Sequence, residues 1–77
     1  MPHYRLRALP GAVTVLAVSE DGSVEDLNAK GDPCVTAADL RSFLAELRTQ
    51  GCPVDLDLDD EIERAIGLAR MGYPVTL

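Results

Sequence analysis

The stretch VDLDLDDEIE, residues 54–63, carries six carboxylates and no base. Carboxylates this dense can do three things. They can hold a divalent cation, present negative charge to a basic partner, or favour the positive end of a helix. Asp55, Asp57 and Asp59 recur at alternate positions, as the first ligands of an EF-hand loop do. Counted from Asp55, however, the sixth position is Asp60, where the sharp turn needs glycine. The twelfth is Ile66, where a bidentate glutamate would close the cage. Leu56 and Leu58 also demand a burial that a calcium loop does not offer. No metal and no cofactor are expected.

The other two roles ask less of the pattern. Alternate residues of a strand stand about 6.6 Å apart, so Asp55, Asp57 and Asp59 would form a row of charge, continued by Asp60, Glu61 and Glu63. Such a row can imitate a phosphate strand toward a protein that binds nucleic acid. The plainer role is local: Asp57 or Asp59 as N-cap, with Asp60 and Glu61 in the first turn of a helix.

Other reactive side chains are sparse. Cys34 and Cys52 flank a predicted helix. Fourteen residues at 1.5 Å each put its ends about 21 Å apart, and a disulfide spans no more than about 7 Å between Cα atoms. Two free thiols are expected. Neither has a neighbouring Cys or His at zinc-ligand spacing. His3 is the only histidine, and no nucleophile elbow, G-x-G-x-x-G or P-loop is present. Catalysis therefore ranks last among the functions considered, because only carboxylates could serve as acid or base. Arg5 and Arg7, near Tyr4, make a small basic face that could contact RNA or DNA.

The elements that must position these residues are legible from periodicity. HYRLRAL, residues 3–9, alternates Tyr4, Leu6 and Ala8 with His3, Arg5 and Arg7, the period of a strand with one solvated face. Pro10-Gly11 is a turn signal, and AVTVLAVS is a second strand, apolar on both faces and so central. Asp21-Gly22 suits a two-residue type I′ turn into a short third strand, about 23–27. That register sets Leu16 opposite Leu27, Val18 opposite Glu25 and Ser19 opposite Val24. NAKGDP is loop.

Thr36 is a natural N-cap with Asp39 at the third helical position, and Val35 with Leu40 can form a hydrophobic staple. Leu40, Phe43, Leu44 and Leu47 then trace one helical face up to Gly51, predicting a helix over 37–50. An extended segment, 53–57, leads into a second helix, about 59–71. Its buried face is Leu58, Ile62, Ala65, Ile66 and Ala69, and Gly72 closes it. YPVTL ends as an edge strand. Strands first and helices after predict an α+β fold: a small antiparallel sheet of three to four strands with two helices packed on one face.

At 77 residues, 47% of them apolar, the chain reads as one small domain, 1–77, of marginal stability. Residues 1–19 carry a net +2 and residues 20–77 a net −8, giving −6. That balance disfavours non-specific binding to nucleic acid or anionic membrane. No apolar run approaches the roughly 18 residues of a membrane span, and no secretory pattern is visible, so a cytoplasmic location is the expectation. The function expected is that of a non-catalytic, acidic regulatory or inhibitory protein. It would act by protein–protein interaction through Asp55, Asp57, Asp59, Asp60, Glu61 and Glu63 on a basic protein surface, antagonising a nucleic-acid-binding complex. The alternative is a small nucleic-acid-contacting regulator using the Arg5/Arg7 strand. A homo-oligomer remains open, since it would relieve the small core.

Overall fold

The fold is that of a computed structural model, which describes residues 3–28, 33–52, 54 and 59–77. Its elements run β1 (His3–Leu9), β2 (Ala12–Val18), β3 (Val24–Asp26), α1 (Ala37–Thr49), α2 (Asp59–Met71) and β4 (Val75–Thr76). The strands form one antiparallel sheet in the order β3-β2-β1-β4, so the two N-terminal strands are central. Both helices cover one face, as the segregation of strands and helices along the chain predicts.

Alternation in β1 decides what that face contains. Leu6 and Ala8 are buried under the helices, paired with Val15 and Val13 across the hairpin. Leu40, Leu44 and Leu47 of α1 and Ile62, Ala65, Ile66 and Ala69 of α2 complete the same cluster. The opposite face carries His3, Arg5 and Arg7 beside Val18, Leu16 and Thr14. Leu16 is only 1% exposed there and Thr14 7%, so β2 is buried on both faces.

The β2–β3 hairpin departs from the expected two-residue turn. Its loop is three residues, Glu20, Asp21 and Gly22. Gly22 N–H donates to the Ser19 carbonyl at 3.0 Å, and Ser19 N–H to that of Ser23 at 2.8 Å. Only Gly22 takes positive φ, at +89°. This is a type I turn closed by a left-handed glycine, which spares Asp21 a strained backbone. Asp21 instead accepts the Ser23 N–H on its carboxylate at 3.0 Å. The register moves by one, to Leu16–Asp26, Ala17–Glu25 and Val18–Val24. A one-residue shift exchanges faces. Asp26, in place of Leu27, now stands opposite Leu16, and Leu27 packs against the core.

Past Asp26 the edge of β2 is closed piecemeal. Leu27 N–H reaches the Val15 carbonyl at 2.9 Å, and the Val15 N–H donates to the side-chain oxygen of Asn28 at 2.7 Å. Val13 N–H then finds the Cys34 carbonyl at 2.8 Å, which lays the chain before α1 along the sheet.

Local signals set both helix ends. Thr36 caps α1 in a full capping box: its hydroxyl accepts the Asp39 N–H at 3.1 Å, and the Asp39 carboxylate accepts the Thr36 N–H at 3.2 Å. Gly51 (φ +91°) ends it, with Cys52 N–H returning to the Leu47 carbonyl at 3.0 Å. Gly72 ends α2 by the same device, Tyr73 N–H returning to Leu68 at 3.0 Å. The Ala69 carbonyl accepts twice, from Gly72 at 3.1 Å and from Gly11 at 2.9 Å, so the β1–β2 turn is tied to the end of α2.

Candidate acidic docking site

The acidic stretch starts from a fixed point. Val54 is buried in the core, and Arg48 Nε of α1 donates to its carbonyl at 3.0 Å. Asp55 and Asp57 lie outside the described residues, as do Leu56 and Leu58, so the expected extended segment 53–57 is described only at Val54. Asp59 opens α2 by its backbone; its side chain lies outside the described part. Asp60 and Glu63 are exposed and Glu61 is half-buried, all in the first turns of α2, where carboxylates oppose the helix dipole favourably. Glu63 also bridges to α1, its carboxylate 3.3 Å from the Arg41 guanidinium. Both side chains are about half exposed or more, so this ion pair contributes at most about 1 kcal/mol.

Along α1 a second group of acids emerges that strand and helix patterning did not single out. Asp39, Ser42, Phe43 and Glu46 line a groove of about 420 Å³ closed on its other side by Pro33 and Cys34. At 100° per residue these four share the flank of α1 turned away from Arg41 and Arg48. The groove exists because Cys34 pairs with Val13 and so lays its segment beside the helix, a tertiary event. The one sequence signal for it is the i, i+3, i+4, i+7 spacing of the four side chains, which on its own describes any solvated helix flank.

Electrostatics separate the groove's members. Glu46 has no side-chain hydrogen bond or ion pair among the described residues, whereas Asp39 is held by the backbone N–H groups of Val35 and Thr36. Cys34 is buried, and that burial pushes its thiol pKa up, reinforced by the Asp39 charge and offset by the Asn28 amide that donates to its sulfur at 3.6 Å. A thiol held protonated is a poor nucleophile at neutral pH. Cys34 and Cys52 are both free. Asp21, fully exposed, is held below its usual value by the Ser23 backbone N–H first and the Ser23 hydroxyl second.

Among the described residues no group of His, Cys, Asp and Glu is arranged to hold a metal ion. Arg5 is exposed and Arg7 half-buried on the outer face of the sheet, flanking Leu16 and Thr14. The structure thus places the two arginines and the acids of α2 on opposite sides of the sheet. No helix among the described residues is long and apolar enough to cross a membrane. Comparison with protein-family models, with curated proteins and with solved structures gives no significant match.

Proposed function

We propose that the chain is a non-catalytic, cytoplasmic regulatory or inhibitory protein that docks its acidic helix layer on a basic protein surface. Under this reading it competes with nucleic acid for that surface. The observation that carries it is the exposure of Asp39, Glu46, Asp60 and Glu63 on the two helices, in a chain of net charge −6. Exposed carboxylates act at a distance through their summed field, which speeds encounter with a positive surface and fixes orientation more than it adds affinity. Asp55, Asp57, Asp59 and Glu61 belong to the same proposed face by their place in the sequence.

The test is affinity capture from lysate at low and high salt, with the bound proteins identified, using the wild type and the Asp55→Lys, Asp57→Lys, Asp59→Lys variant. Basic proteins should be retained at low salt, released at high salt and lost by the triple variant, its folding having been verified by circular dichroism. Asp59 is the first residue of α2 rather than its cap, and reversing its charge there opposes the helix dipole, so that verification matters. Retention of the same proteins by the folded triple variant would sink the acidic-face reading. A catch of nucleic acid abolished by Arg5→Ala and Arg7→Ala would support the sheet-face alternative instead.

A further inference from the structure

We infer that the groove between α1 and the Pro33–Cys34 segment receives an arginine side chain from the basic partner. This rests on the docking reading above and narrows it to one site and one chemistry. The groove offers what a guanidinium needs: an aromatic ring, Phe43, with carboxylates toward either end, Asp39 and Glu46. Among the described residues none that lines it is a cation that would neutralise those acids. Phe43 is half-buried, its body packed on the core and the remainder open to the groove.

Distance excludes the simplest competitor. Asp39 and Glu46 stand two helical turns apart, about 10.5 Å along the axis. A divalent cation binds oxygens at about 2.0–2.6 Å, so these two carboxylates cannot share one ion. A planar group on a long flexible stem can stack over the ring and pair with one acid, while the charge of the other adds to the field around it. Nucleic acid is repelled by the same pair, and an apolar helix would have to bury both acids unpaired. Asp39 is preorganised, since its capping box holds the carboxylate and spares the entropy of ordering it on binding.

The test is a titration of the ¹⁵N-labelled protein with a short peptide of alternating arginine and glycine, followed by amide chemical shifts. A lysine–glycine peptide of equal charge serves as the second probe. Shifts should centre on Cys34 and on Asp39 to Glu46, and the arginine peptide should bind several-fold more tightly than the lysine peptide, because the guanidinium stacks where an ammonium does not. Glu46→Lys and Ser42→Arg change exposed positions, and either should weaken the arginine peptide by about tenfold or more. Asp60→Lys, which alters net charge equally on the other helix, should change it by less than about threefold.

Equal weakening by Glu46→Lys and Asp60→Lys, or shifts centred on Asp60 to Glu63, would overturn the groove and leave the acidic-face reading standing. Absence of any shift with the arginine peptide would also overturn the groove, while the docking reading would still be decided by the salt-dependent capture. Loss of that capture in the triple variant together with a wild-type response of its groove to the peptide would show the groove acting on its own.

Discussion

Asn28 supplies with its side chain a bond that β2 would ordinarily take from a neighbouring strand. The Val15 N–H donates to its amide oxygen at 2.7 Å, and the residue is only 6% exposed. Its own N–H is held by the Asp26 carboxylate at 2.9 Å, so the turn that leaves β3 fixes the amide in place. Removing the oxygen leaves a buried backbone donor unpaired, which costs about 1–3 kcal/mol. Asn28→Ala should therefore lower the unfolding free energy in urea by about that amount. A loss below about 0.5 kcal/mol, the range of surface substitutions, would mean that another acceptor replaces the amide. Sequence pattern places Asn28 in a loop and says nothing of this role, because a side chain standing in for a strand leaves no periodicity. The same limit hides Cys34, whose carbonyl pairs with Val13 from within a stretch that reads as irregular.

The helices were the most legible elements, since their boundaries depend on neighbours in the chain. Thr36 with Asp39, and Gly51 and Gly72 in left-handed conformations, act within a few residues of themselves, so both helices fall within a residue or so of the expected bounds. The third strand was not legible to the same degree. Asp21-Gly22 fits two hairpin loops, and the choice between them turns on the Asp21–Ser23 bond and on which face takes Leu27. Neither is decided by the dipeptide. The helical stripe itself can be tested. Leu44 is 1% exposed at the centre of α1's buried face. Leu44→Ala should destabilise by about 2–5 kcal/mol, a large share of a small domain's stability. Arg41 is exposed, and Arg41→Ala, which removes its Glu63 ion pair together with its other surface interactions, should cost far less than the Leu44 truncation. Equal losses in paired urea or thermal melts would show that the buried face is misassigned.

At the scale of the whole molecule, the sheet separates the arginines of β1, on its outer face, from the acids of the helices. Composition alone predicts the sign of the surface. It cannot predict the groove, which needs the segment before α1 to return along β2. The fold closes on itself through one further contact, the Gly11 N–H that donates to the Ala69 carbonyl. Gly11 is exposed and sits in a tight turn, a place where amide protons ordinarily exchange with solvent in moments. Here its proton is held by the last turn of a helix from the far end of the chain, so it can leave only when α2 lifts from the sheet. Hydrogen–deuterium exchange at this single amide should therefore run at the rate of the β1–α2 core amides, and far slower than at Gly22, whose bond is confined to its own hairpin. Exchange at Gly11 as fast as at Gly22 would show that α2 undocks on its own. Slow exchange at both ends of the tie would mean that the first turn made and the last helix made open together, as one unit.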